Sequence, residues 1–300
     1  MEYFELFGLK KEPFSLSPDP DFFYHSNHYT ECLQRLEISV RLRRGLNLII
    51  GDMGTGKTTI SRILINRFKD ERDRFLFFLI LDPSYKTEFQ FLSALIQLFG
   101  IKTKRRSTLD YKELLQEFLF KKGVEEDKIV VLLVDEGQKL DSSQIEVLRN
   151  LLNFETNEYK LLQLVILAQL EFLDLIAEHK NFFDRVNFTY TISPLTLEET
   201  KSLIIYRLEK AGHSEGNDLF NDEAIRFIHL QTRGFPRRII KLCHHSLITM
   251  YSKNKSCVDL DTVQSLQEDQ ILVDDDLVQL KRNLRRLGRT YQRQRVFSKR

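Results

Sequence analysis

No stretch of the 300 residues approaches the roughly 18 consecutive apolar positions that a membrane helix requires. The best candidate, Leu161 to Leu170, is interrupted by Gln163 and Gln169. Cysteine is nearly missing. Cys32, Cys243 and Cys257 are odd in number and far apart, which argues against a disulfide framework and fits a reducing cytoplasm. The start, Met1-Glu2-Tyr3-Phe4-Glu5, lacks the basic residues of a secretory signal. There is no internal repeat, no low-complexity tract and no Ser/His/Asp arrangement. Cys243-His244-His245 has metal-ligand residue types, but adjacent helix positions point in different directions and no second cluster accompanies them, so the reading is structural. Acidic residues are absent from 281–300, which carry nine Lys or Arg. Residues 1–280 therefore hold 36 basic against 43 acidic side chains, a net charge of −7 within a chain whose total is +2. Such a body excludes a generally basic, polyanion-coating protein and concentrates charge-driven contacts in the tail.

What is present is a globular composition, 42% hydrophobic and 29% charged, long enough for two cores. After a short apolar run, Leu46 to Ile50, the chain reads Gly51-Asp52-Met53-Gly54-Thr55-Gly56-Lys57-Thr58-Thr59, and a helix follows from Thr58. Glycines allow the backbone to curl so that successive N–H groups point at phosphate oxygens, and the helix N-terminus adds partial positive charge. Lys57 then reaches the β- and γ-phosphates and the Thr58 hydroxyl ligates Mg²⁺. A strand, a loop and a helix in this order predict binding of ATP with Mg²⁺.

Further apolar segments, Phe75 to Leu81, Ile129 to Val134, Leu161 to Leu167 and Phe188 to Ile192, alternate with helical ones at Thr87 to Phe99 and Leu109 to Lys122. Continuous apolar strands separated by helices predict an α/β fold whose parallel sheet is covered by helices on both faces. Beyond Pro194 only helices are expected: Leu197 to Ala211, Asp222 to Gln231, Pro236 to Tyr251 and Asp261 to Glu268. Thr196 with Glu199 makes a capping box, and Asn221 or Asp222 caps the next helix. A sheet domain followed by a small all-helical lid is the layout of an AAA+ P-loop NTPase.

Val134-Asp135-Glu136 ends an apolar strand with two carboxylates at the ligand-binding edge of a parallel sheet. Asp135 is expected to hold Mg²⁺, and Glu136 to orient and polarise the attacking water. Gln169, after the next strand, is a candidate for facing the γ-phosphate, or an ordinary strand-end residue. Arg185, before the last strand, is placed to serve a neighbouring subunit as an arginine finger. Arg237, behind Pro236 at a helix start, is placed to couple the lid to nucleotide state. A solvated surface arginine is the plain alternative for both, and Arg238 competes for the lid role.

The N-terminus resembles the opening of the ExeA/GspA family of AAA+ ATPases, through Phe7-Gly8-Leu9, Pro13-Phe14-Ser15-Leu16-Ser17-Pro18-Asp19-Pro20, Phe22-Phe23-Tyr24, and Ser26 with His28, Glu31 and Leu33. The likeness continues through Asp135-Glu136 with Gln138, Gln169 and Glu171, Pro194-Leu195 with Leu197-Glu198-Glu199-Thr200, and Gly234 with Pro236-Arg237. It implies an ATPase of the general secretion pathway or of pilus biogenesis. It also implies an N-terminal segment that wraps the ATPase domain near the adenine pocket. Independently of the name, Pro13, Pro18 and Pro20 keep this segment extended, so Phe7, Phe14, Phe22 and Phe23 are expected to anchor it across the sheet domain. The family usually has alanine where Gly137 stands, and Gly-Gln-Pro-Glu-Leu where this chain has Ala168 to Phe172. Its membrane-anchored members continue into a transmembrane helix and a periplasmic domain that this sequence does not contain. TnsC, TniB and Mu B transposition ATPases share the fold and the strand-end type, which keeps a DNA-binding regulator open as the alternative.

The expected organisation is an arm and first helix over 1–44, a sheet domain over 45–193, a lid over 194–270 and a basic tail over 271–300. Leu277, Leu280, Leu284 and Leu287 form an apolar seam beside Lys281, Arg282, Arg285 and Arg286. The tail either packs on the lid or meets a partner helix, an anionic membrane or nucleic acid. The expected protein is cytoplasmic or peripheral at the inner membrane, forms an ATP-dependent homo-oligomer and acts on a secretion or pilus assembly protein.

Overall fold

The computed structural model describes residues 3–15, 20–213 and 219–268. The leucine seam and the basic tail lie outside the described residues. The chain divides into two compact units, 18–194 and a second formed by 1–17 with 195–300.

The first unit follows the alternation expected of α/β proteins. In order it comprises α1 (Asn27–Arg41), β1 (Leu46–Gly51), α2 (Lys57–Arg67), β2 (Phe75–Ile80), α3 (Glu88–Leu98), α4 (Thr108–Phe120), β3 (Ile129–Val134), α5 (Ser142–Leu151), β4 (Leu162–Ala168), α6 (Glu171–Ala177), α7 (Lys180–Phe183) and β5 (Val186–Ile192). The strands form one sheet in the order β2-β3-β4-β1-β5, and every pairing is parallel. Inserting β4 between β1 and β3 aligns three strand ends, since Ile50 pairs with Ala168 and Val134 with Ile166.

β1, β3 and β4 are buried throughout, as their largely apolar sequences require. Alternate strand residues, among them Leu48, Leu132 and Leu164, join a core with Phe91, Leu95, Leu115, Ile145 and Leu148 from α3, α4 and α5. The opposite face is covered by α1 and α2. Two buried amides interrupt the strands without being orphaned. Asn47 accepts from Ser39 Oγ at 2.7 Å, and Gln163 accepts from the N–H of Gly45 at 2.8 Å. The expectation of a fully buried strand at Phe75 to Leu81 is corrected: β2 is an edge strand, only its ends Phe75 and Ile80 are buried, and Leu81 is exposed. Its central rings are sheltered by aromatic partners instead, Phe77 by Phe68 and Phe78 by Phe99.

The second unit contains α8 (Leu197–Lys210), α9 (Asp222–Thr232), α10 (Pro236–Ser252) and α11 (Leu260–Glu268). Thr196 and Glu199 form the expected capping box, and Asn221 rather than Asp222 is the N-cap of α9. The arm corrects another expectation. Phe7 and Phe14 do not lie on the sheet domain; their rings meet Tyr251 and Phe220 of the helical unit. Buried Arg207 of α8 holds this stretch by donating to the carbonyls of Pro13 at 2.7 Å and Ser15 at 3.1 Å. An extended, proline-rich segment has few internal hydrogen bonds, so a buried guanidinium with a planar set of donors satisfies its carbonyls. Phe22 and Phe23 are buried in the sheet unit. The region expected as one arm over 1–44 thus divides between both units.

Candidate functional site

The phosphate-binding sequence forms the turn between β1 and α2. Gly56 occupies the N-cap with φ of 92°, a left-handed conformation that glycine adopts without a Cβ penalty. Met53 is exposed, Asp52 lies at the surface and Thr55 is buried. Thr55 Oγ1 donates to the Asp52 carbonyl at 2.8 Å, and the Thr55 carbonyl accepts from Tyr29 of α1 at 2.6 Å. Lys57 folds along the loop, its Nζ donating to the carbonyls of Gly51 at 2.7 Å and Asp52 at 2.9 Å. Burial lowers its pKa, and Glu136, Asp135, Asp52 and Glu171 act in the opposite direction by stabilising the charge.

Thr58 and Thr59 follow Lys57 in the first turn of α2. Thr58 Oγ1 donates to Asp135 Oδ2 at 2.5 Å, across β4, which separates their strands. Two oxygen donors converging in this way fit a hard divalent cation such as Mg²⁺. Asp135 is only 2% exposed, and its other oxygen accepts from the N–H of Glu136 at 2.9 Å. Glu136 follows in a left-handed conformation, φ 53° and ψ 37°, rare for a residue with a side chain. Its carboxylate accepts from Gln138 Nε2 at 2.8 Å, and Gln138 Oε1 accepts from the backbone N–H of Gln169 at 3.0 Å. Gln169 therefore enters this network through its main chain. Gly137 lies against β4: a Cβ there would stand 2.4 Å from Ile166 Cγ2.

The structure thus gathers Gly51 to Thr59, Asp135, Glu136 and Gln169 at the C-terminal edge of the sheet. Arg185 is elsewhere. It precedes β5, whose first residue pairs with Leu46 at the start of β1, so it lies at the opposite edge. There it donates to Asn153 Oδ1 at 2.5 Å and to the Asn181 carbonyl. Arg237 is exposed on the first turn of α10 in the helical unit. Its turn is fixed by Gly234, at φ 74°, where a Cβ would stand 2.0 Å from the Leu195 carbonyl oxygen. Arg238 instead places its guanidinium over the Phe235 ring. In the Cys243-His244-His245 cluster, Cys243 is buried, and His244 meets Tyr3 and Glu12 of the arm. Among the described residues no group of His, Cys, Asp and Glu is arranged to hold a metal on its own. Tyr29 was beyond reach from motif spacing as a contributor to loop geometry, because its partner is a backbone carbonyl that any sequence supplies. Gln138, noted beside the strand-end carboxylates, bonds one of them and a backbone N–H that only the fold brings near.

A parallel five-stranded sheet with this loop and acidic strand end, joined to a helical unit, defines an AAA+ P-loop ATPase. A family profile described as "AAA domain" matches residues 40–176. The chain is similar to general secretion pathway protein A of Aeromonas hydrophila, 32% identical over 84% of this chain and 45% of that protein, so it spans about half of the relative's length. Among solved structures it resembles Cdc6p of Pyrobaculum aerophilum, with TM-score 0.66, 20% identity and coverage of 86% of this chain and 70% of that one. It also resembles the Aeropyrum pernix ORC1 protein, solved in complex with DNA, with TM-score 0.64, 17% identity and coverage of 86% and 69%. At such identities the structural likeness concerns the fold. The chain carries an AAA domain and is similar, over most of its length, to the ExeA/GspA-type AAA+ ATPases. No helix among its described residues is long and apolar enough to cross a membrane.

Proposed function

We propose that this chain binds ATP with Mg²⁺ at the β1–α2 loop, hydrolyses it, and uses the cycle to drive assembly of a cell-envelope machine of the secretion or pilus class. The observation that carries the hydrolytic reading is the convergence of Thr58 and Asp135 at 2.5 Å, with Glu136 next in the chain. Backbone N–H groups from Gly51 to Thr59 would receive the phosphates, and the Lys57 ammonium would bridge the β- and γ-phosphates. Thr58 and Asp135 would hold Mg²⁺, which when bound neutralises charge on the phosphate oxygens. Glu136 would orient and polarise the attacking water, within reach of the Gln169 strand end. Arg185, an edge away from its own loop, would complete the site of a neighbouring copy in an ATP-dependent homo-oligomer. Arg237 would report nucleotide state to the helical unit. The secretion relative, and the acidic balance of residues 1–280, support an envelope protein as the remodelled partner over extended DNA.

Turnover and nucleotide binding measured separately test this reading. Lys57→Ala is expected to abolish binding. Glu136→Gln is expected to retain ATP and lose hydrolysis by two or more orders of magnitude, the scale of removing a positioned general base. Parental turnover in Glu136→Gln would sink the assignment.

A further inference from the structure

Gln138 lies on the short turn after β3, beyond the two carboxylates that a strand-end motif identifies. Its side chain spans two elements. Nε2 donates to Glu136 Oε2 at 2.8 Å, while Oε1 accepts from the N–H of Gln169, the first residue after β4, at 3.0 Å. These partners fix the amide's orientation, since a carboxylate only accepts and a backbone N–H only donates. Glutamine is suited to the task. Leucine of similar size offers neither function, and glutamate would set a second negative charge against Glu136.

The surrounding turn is rigid in a way that makes the bridge informative. Glu136 is held left-handed by its own N–H bond to Asp135 and by its carbonyl, which accepts from Lys139 N at 2.9 Å. A conformation of this kind is strained and persists only where surrounding contacts determine it. Gly137 packs directly on Ile166 and Ala168 of β4. The backbone of Glu136 is thus anchored to its neighbours, whereas its carboxylate is aimed by Gln138. β4 runs between the strand that delivers the phosphate loop and the strand that delivers Asp135.

We infer that Gln138 is a positioning residue for hydrolysis: it aims the Glu136 carboxylate and ties that aim to the end of β4, so that displacement at Gln169 is transmitted to the water-orienting group. This rests on the role of Glu136 proposed above. Gln138 touches neither nucleotide nor water in this account, so its removal should alter kcat and leave ATP affinity alone.

The test uses the full chain with ATP and Mg²⁺, following kcat, KM and the dissociation constant of a fluorescent ATP analogue. Gln138→Leu should lower kcat about tenfold, the order of losing one charge-assisted hydrogen bond, with KM and analogue affinity within twofold of the parent. Gln138→Glu, which keeps the length and adds charge, should be slower still. In single-turnover assays on a Glu136→Gln background, Gln138→Leu should change the residual rate less than twofold, because nothing remains to be aimed. Parental kcat in Gln138→Leu, a rise in KM at constant kcat, or a full additive loss on the Glu136→Gln background would overturn the inference. A parental rate for Glu136→Gln itself would instead overturn the reading of Glu136, so the two failures are separable.

Discussion

The hydroxyl of Tyr29 donates to the carbonyl of Thr55 at 2.6 Å, joining helix α1 to the middle of the phosphate-binding loop. Tyr29 is 3% exposed and its ring also approaches Gly56, where an added Cβ would stand 3.5 Å from the hydroxyl. A loop whose N–H groups must point inward sends some carbonyls outward, and an outward carbonyl buried without a donor costs about 1–3 kcal/mol. Tyr29 supplies that donor from an element sequentially remote from the motif.

Tyr29→Phe keeps the ring and removes only the bond. Thermal unfolding should show a loss of about 1–2 kcal/mol, the cost of leaving a buried carbonyl unpaired. Affinity for ATP should fall several-fold, because the loop is then less well organised before binding. Unchanged affinity and melting temperature would show that the loop holds its shape without α1.

Gly137 offers a steric test of the same edge. Gly137→Ala should lower stability by about 1–3 kcal/mol, as overpacking does, since the new methyl group meets Ile166 Cγ2 at 2.4 Å. Leucine has no methyl branch at Cβ, so adding Ile166→Leu should recover part of the loss. Measured melting temperatures that are equal for parent and Gly137→Ala would mean that β4 yields at little cost.

The difference between motif and support explains what could be read before the structure. Strand existence, the parallel sheet and the loop at Gly51 to Thr59 follow from unbroken apolar runs and from glycine chemistry, both local properties. Leu46 to Ile50 reads as the strand delivering the loop, and Ile129 to Val134 as a strand too apolar to be half exposed. The edge position of β2 was not legible, because Phe77 and Phe78 look as buried as Leu132 until their aromatic neighbours are known. Nor was the attachment of the arm: it is set by Arg207, nearly two hundred residues beyond Pro13. Gln138 and Tyr29 were visible as letters, but the backbone N–H of Gln169 and the carbonyl of Thr55 that they bond are brought near only by the fold.

Arg185 gives a prediction about assembly. The pairing of Val186 with Leu46 puts Arg185 at the edge opposite its own phosphate loop, separated by a strand of six residues, roughly 20 Å. A contribution to hydrolysis must then come from a second copy. Mixing Lys57→Ala protein with Arg185→Ala protein should restore activity that neither shows alone, and turnover per chain should rise with concentration. Parental activity of Arg185→Ala alone would remove this role.

The last prediction separates an envelope ATPase from a DNA-binding one through charge. Residues 1–280 carry a net −7, and the nine basic side chains of 281–300 face no acidic residue in that segment. The body is not uniformly acidic, for Lys102, Lys104, Arg105 and Arg106 are exposed together between α3 and α4. Deleting 281–300 therefore isolates the tail from this second patch. For an envelope role, the full chain should bind anionic vesicles, the deletion should weaken that binding at least tenfold, and duplex DNA should leave ATP turnover unchanged. Each juxtamembrane basic residue contributes about 1 kcal/mol near an anionic surface, so nine are ample for such a loss. A duplex tracked by a ring of subunits behaves differently: affinity falls steeply with salt as counterions are released from the phosphates. ATP-dependent, salt-sensitive duplex binding that survives the deletion would assign the contact to the body and overturn the envelope reading.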